Sequence, residues 1–386
     1  MKPIVLVLPA LLAACEGPPP SPREPDAAAG DADAAVSDAA ADGTAASDGA
    51  SSPEAAPDAG SPALFQPAPA TSCTAVHLVV DGGFLYWTDE AGGAVMRAPT
   101  AGGAPSAVAV GEDHPTWLSV RGGRVFWVSG VPGSPPVGNP THPTLGTSMR
   151  AAAPGGGPTT IASVAGGLYG AVVTDDGATV YFSTGAAIEQ VSAGGGTPSN
   201  VATFVDGSTA RGLAISGTTL VALDDVDGFV ALVDLTAGPA LCGQLDPTSG
   251  SWTGSCTRLP SDNGSLLSDT ILVDGTVLYW VDGDRIKHAD LAGGPDVAAT
   301  PADASFIDAA CLGGSSVFFV ADDHALGAPA PGTLPAGTSL IEKATSDPDV
   351  PNVVLARGQR RPQSIASDGA RVFWATADCA IWSLAP

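Results

Sequence analysis

The chain has 386 residues, room for one large all-β domain or two ordinary ones. Its 49 glycines and 35 prolines stay below the roughly 25–30% share that marks low complexity throughout, so a folded core is expected. Forty acids against 15 bases give a net charge of −25, which excludes unaided nucleic-acid binding, because such a surface repels phosphates instead of displacing their counterions.

Residues 1–14 carry one cation, Lys2, then the apolar run Ile4-Val5-Leu6-Val7-Leu8 and the small pair Ala13-Ala14. This is the layout of an export signal, and the apolar run is too short to span a bilayer as a helix. Leu12-Ala13-Ala14-Cys15 resembles a bacterial lipobox. The resemblance implies cleavage before Cys15 and a diacylglycerol on its sulfur. It also implies a lipid-anchored protein of the bacterial cell envelope, placed by expectation at the outer membrane. Residues 15–70 are dominated by Ala, Asp, Pro, Ser and Gly, with almost no large apolar side chain before Leu64. They cannot bury enough surface to offset their ordering entropy and read as a disordered acidic tether.

From 71 to 386 one pattern recurs seven times: a glycine, then three residues later an aliphatic residue followed in most copies by two aromatics. The marker glycines are Gly82, Gly122, Gly177, Gly217, Gly275, Gly314 and Gly369, and the aromatic strands include Leu85-Tyr86-Trp87, Val125-Phe126-Trp127 and Leu278-Tyr279-Trp280. An apolar run such as Leu78-Val79-Val80 or Ile271-Leu272-Val273 precedes the glycine. These are strands joined by tight turns in which glycine supplies a positive φ. Three consecutive apolar positions require burial on both faces, which sheets packed face to face around an axis provide. Marker spacings of 40, 55, 40, 58, 39 and 55 residues show a unit of about 40, the length of a four-stranded propeller blade, with insertions in alternate copies.

Tyr86-Trp87-Thr88-Asp89 resembles the signature of YWTD-type β-propellers of lipoprotein-receptor ectodomains (LDL-receptor class B), and Tyr279-Trp280-Val281-Asp282 nearly repeats it. The resemblance implies a six-bladed ring, whereas seven copies are present, so the expected fold is all-β, a single propeller of seven blades, with six as the alternative. Copy four keeps Leu220 but has Val221-Ala222 where the others have aromatics. The last copy holds about three strands before Pro386, so its fourth is expected from the N-terminal side, around Leu64–Phe65, closing the ring and removing its edges.

With Cys15 lipidated, five cysteines remain. Cys242 and Cys256 bracket a Gly/Ser/Thr-rich insertion containing Trp252, and a disulfide stapling that loop is expected in an exported protein. Ring closure would bring Cys73 to Cys379, a second expected disulfide. Cys311 is left as a buried thiol on an inner strand. No Cys-x-x-Cys or His-Glu-x-x-His spacing occurs. His142 and His324 fall in Pro-rich insertions, 128–147 and 321–338, that leave the same edge of blades two and six. Acids follow the aromatic strands at Asp89, Glu90, Asp224, Asp225, Asp282, Asp322 and Asp323. In a propeller these loops share one rim, where such acids end strands and form turns. Together with His142 and His324, these acids form the candidate binding rim.

No nucleophile elbow, phosphate-binding loop or dinucleotide fingerprint is present. The expectation is therefore a monomeric, non-enzymatic binding or scaffold module without a cofactor, held at the membrane by its lipid and facing an unknown envelope protein or polar ligand. The alternative is a metal-dependent lyase or hydrolase working at the channel mouth.

Overall fold

The computed structural model describes residues 61–66, 77–130, 144–153, 155–204, 209–224, 229–243, 254–260, 270–282, 285–291, 297–298, 307–314, 316–322, 339–344 and 352–386. Seven sheets of at least four strands each, antiparallel but for one added strand, follow one another along the chain, and no helix occurs among the described residues. Blade 1 runs inner to outer through Leu78–Asp81, Phe84–Asp89, Ala94–Pro99 and Ser106–Val110. Blades 2 to 6 repeat that order, with inner strands Thr116–Arg121, Gly170–Val173, Ala210–Ser216, Ile271–Asp274 and Ile307–Gly313. Blade 7 places Ser364–Ser367, Val372–Ala375 and Ile381–Leu384 in sequence and completes itself with Ala63–Gln66 from the opposite end of the chain. That strand pairs antiparallel with Ile381–Leu384, Leu64 opposite Trp382, and Phe65 meets the Phe373 ring edge-on at 5.2 Å.

The ring is thus seven-bladed and closed by hydrogen bonds around Leu64–Phe65, where the sequence places the missing strand. The propeller therefore begins by Ala63, ahead of the boundary at 71, because closing a sheet edge stabilises this short segment despite its surroundings.

Each marker glycine sits in the turn between an inner and a second strand, and all seven have φ between 55° and 81°. Two of them also touch: a Cβ on Gly122 would lie 2.3 Å from the Asp176 carbonyl oxygen, and one on Gly177 would lie 2.8 Å from that of Arg121. At that contact glycine is required by space as well as by φ.

The consecutive apolar residues of each second strand divide between two cores. Leu85 and Trp87 pack toward blade 7, while Tyr86 packs toward blade 2. Val125 and Trp127 face blade 1, and Phe126 and Val128 face blade 3. The same alternation places Leu278 and Trp280 against blade 4. Blade 4, lacking aromatics on that strand, fills the volume from its third strand with Phe229, fully buried beside Leu220 and Ala222.

Blade 3 carries a fifth strand that the repeat does not foretell. Ala240–Cys242, from the insertion of blade 4, adds in parallel to the outer strand Ser199–Phe204, with Ala202 opposite Ala240. The Cys242–Cys256 disulfide ties that strand to the start of Thr257–Pro260, the outer strand of blade 4. The expected loop staple is therefore also a covalent clasp between two blades. Cys379 is disulfide-bonded as well, and its expected partner Cys73 lies outside the described residues. Cys311 is a fully buried thiol on the inner strand of blade 6.

Candidate functional site

The inner strands run parallel to one another around the axis and enclose a channel of about 440 Å3 to which every blade contributes. Because each second strand pairs antiparallel with its inner neighbour, the start of one lies beside the end of the other: Leu78 is opposite Trp87, and the His77 amide donates to Thr88 Oγ1 at 3.1 Å. The mouth at the starts of the inner strands therefore shares a face with the acids that end the second strands.

That mouth carries His77, Trp117 and Tyr169 from blades 1, 2 and 3, all half-buried, with Thr270 and Gln363 on the opposite side. The half-buried His77 lines the channel. Burial pushes its imidazole down to about 4, so it is neutral at pH 7. Trp117 is the extra residue of a bulge between Thr116 and Leu118 and has φ of 27°. The Arg211 guanidinium, itself buried, lies over the Tyr169 ring at 5.6 Å.

The far end carries charge. Arg121 Nε stands 3.6 Å from an Asp175 oxygen. Burial raises the Asp81 and Asp175 carboxyls, an effect partly opposed by the Arg121 charge near both.

Among the rim residues expected from sequence, Asp89 ends the second strand of blade 1, and its Oδ1 accepts from the Gly92 amide at 2.8 Å. It shapes the turn, and a Cβ at 92 would lie 2.2 Å from the Asp89 carboxylate, so a side chain there would have to displace that carboxylate. Glu90 borders a shallow depression shared with Asp113 and His114, whose Nδ1 is 2.8 Å from Asp113 Oδ1. Asp224, Asp282 and Asp322 are the last residues of the second strands of blades 4, 5 and 6, so one face does collect them. His142, Asp225, Asp323 and His324 lie outside the described residues, as does Cys15. Among the described residues no group of three His, Cys, Asp or Glu side chains is placed to hold a metal.

Sequence reasoning passed over Trp117, Tyr169, Thr270 and Gln363. A positional signal for the channel existed. The residue five before each marker glycine lines it in every blade: His77, Trp117, Val172, Gly212, Thr270, Ala309 and Ser364.

No protein-family model matches the chain, and no curated protein matches it. At a TM-score of 0.41, a chain of the nidogen/laminin complex is too distant to bear on the YWTD resemblance, which rests on the motif letters. Three solved structures share the architecture across 84% of this chain. A streptogramin B lyase has a TM-score of 0.58 at 16% identity, with 97% of its own chain covered. The computationally designed Ika8 protein has 0.53 at 10%, covered in full. A catalytically inactive virginiamycin B lyase from Staphylococcus aureus, crystallised with quinupristin, has 0.58 at 14%, also covered in full. At these identities the likeness establishes the β-propeller fold and nothing finer.

Proposed function

We propose that this chain is a lipid-anchored envelope protein whose propeller binds a partner or ligand, without turning it over, on the face where the second strands end. The observation that carries this reading is the convergence on one face of an open channel mouth, three half-exposed ring-bearing side chains and the points where the blade 2 and blade 6 insertions depart. The chain leaves the blade 2 sheet after Ser129 and re-enters it at Gly146; in blade 6 it leaves after Asp322 and returns at Ser339. Insertions on that rim are free to vary while packing fixes the blades. The anchor rests on Leu12-Ala13-Ala14-Cys15 and the acidic tether that follows.

The test is capture from the native envelope with the tethered domain as bait, with and without residues 131–143 and 323–338. Deleting both insertions is expected to abolish capture while leaving the thermal unfolding midpoint nearly unchanged. Capture that survives the deletion places the site elsewhere. The second reading, a metal-dependent lyase or hydrolase at the same mouth, draws on the two lyases that share this fold. Stoichiometric metal retained through purification would favour it.

A further inference from the structure

The channel has the makings of a small-molecule pocket in its own right. Its volume, about 440 Å3, falls within the roughly 300–1,000 Å3 of ligand pockets. The walls below the mouth are aliphatic, with Val79, Val172, Ala214, Ile271 and Ile365 among them. Although the chain carries 40 acids, none of the described lining residues is acidic, and the one lining residue with a fixed charge is Arg121 at the far end, beside Asp175. A charged group drawn into this channel would lose its hydration without gaining a partner.

The mouth is lopsided. At the lining position five residues before the marker glycine, blades 1 and 2 place His77 and Trp117, while blades 4 to 7 place Gly212, Thr270, Ala309 and Ser364. Rings stand on one side and small side chains leave space on the other. Trp117 is held there in a left-handed backbone conformation that a bulky residue rarely adopts. The repeat does not demand a bulky residue at that bulge: blade 4 makes its own, between Arg211 and Leu213, with Gly212, which is not in the left-handed region. A bulge re-aims its side chain. Here Trp117 packs against the core between blades 2 and 3 and also faces the channel. A strained backbone beneath a bulky ring that faces the channel points to a role for the indole itself.

We propose that the channel mouth binds an uncharged, flat aromatic small molecule, its ring stacked on Trp117 and its body between the aliphatic walls. The Thr270 hydroxyl and the Gln363 carboxamide stand on the open side, where a polar edge of the ligand would lie. This inference rests on the binding reading above and narrows it to a ligand class.

The probe is N-phenyl-1-naphthylamine, an uncharged dye of one naphthalene and one phenyl group whose emission rises and shifts to the blue in apolar surroundings. It is titrated into the full-length chain carrying Cys15→Ser, so that neither acyl chain nor detergent competes for it. Saturable binding of one dye per chain is expected, weakened about ten-fold or more by Trp117→Ala, as the loss of one stacking partner implies. Trp117→Phe should retain most of the affinity, and Ala309→Phe, which fills the open side and leaves Trp117 intact, should abolish binding. Thermal unfolding midpoints identify the folded variants; if Trp117→Ala does not fold, Ala309→Phe and Trp117→Phe carry the test. Absence of saturable binding, affinity unchanged in folded variants, or tighter binding of a trimethylammonium-substituted naphthalene would overturn the proposal. Envelope capture that persists when the dye fails to bind would defeat this inference and leave the binding reading standing.

Discussion

Removing one indole N–H should distinguish two tryptophans that are otherwise alike. Trp127 and Trp374 are both fully buried, and each donates its Nε1 at 2.9 Å to a side chain 15 residues upstream. The acceptors differ. Trp127 donates to Glu112, a carboxylate whose side chain is 3% exposed and whose other oxygen accepts from Arg150 at 3.0 Å. Trp374 donates to the neutral amide of Gln359, which is half-buried. Substitution by Phe removes the donor in both cases with a similar loss of ring volume, so the difference isolates the acceptor. A lost hydrogen bond to a charged group costs about 1.5–3 kcal/mol and one between neutral groups about 0.5–1.5. Trp127→Phe is therefore expected to lose about 1 kcal/mol more stability than Trp374→Phe. The assay is urea unfolding at pH 7 followed by far-UV circular dichroism, which does not depend on tryptophan emission. A double-mutant cycle of Trp127→Phe with Glu112→Gln should return a coupling of about 1 kcal/mol. Equal losses for the two Phe variants, or the larger one at Trp374, would refute the claim that the charged acceptor makes the Trp127 hydrogen bond the costlier one to lose.

Cys242→Ser opens a bridge whose cysteines are 14 positions apart; a loop of that size should contribute about 3 kcal/mol, and limited proteolysis should then cut first between 242 and 256. Stability should also fall with acid through His77: its imidazole stays neutral down to about 4, whereas the unfolded ring takes a proton near 6.5. The unfolded chain then binds the extra proton across that window, so up to about 3 kcal/mol is lost as pH drops from 6.5 toward 4. His77→Gln should flatten that part of the pH profile measured by urea midpoints, and an unchanged slope would assign the loss to other groups. For the anchor, Cys15→Ser should leave the domain soluble or unprocessed, and mass spectrometry showing a lipid-free mature N-terminus elsewhere would remove the lipoprotein reading.

The blades were legible because one physical demand recurs in every copy. A tight turn after each inner strand needs positive φ, so a glycine marks it, and a strand buried on both faces must be apolar at consecutive positions. Even the degenerate fourth copy keeps Gly217 at φ 55° while Val221 and Ala222 replace rings. Ring closure could be read by counting strands, since a blade of three leaves an unpaired edge. The fifth strand on blade 3 could not. Ala240–Cys242 is three residues long and pairs in parallel with a strand of the preceding repeat, so neither alternation nor a local turn announces it.

The channel lining escaped notice for the opposite reason. The position five before each glycine lines the channel without being fixed in chemistry: imidazole, indole, isopropyl, hydrogen, methyl and two hydroxyl-bearing side chains occupy it, and in blade 3 a longer turn moves Val172 to the level of Val79, opposite Tyr181 as Val79 is opposite Tyr86. Packing between blades constrains residues such as Leu85 and Trp87 to be large and apolar, because each fills a core shared with a neighbour. A lumen-facing residue leaves part of its surface in the channel, so packing constrains its size less, although Trp117 and Ala309 also touch a core and the Ser364 hydroxyl accepts from the Leu78 amide at 3.0 Å. Chemical type at these positions is therefore only partly set by the fold. In that frame Trp117 stands out where the rim acids do not. Asp89 has a structural duty in its turn that accounts for its presence, whereas the bulge at 117 is made elsewhere in the ring by a glycine. The two candidate regions make separate demands: loss of the acids' charge should reshape loops, and loss of the indole should leave the ring intact and empty its mouth.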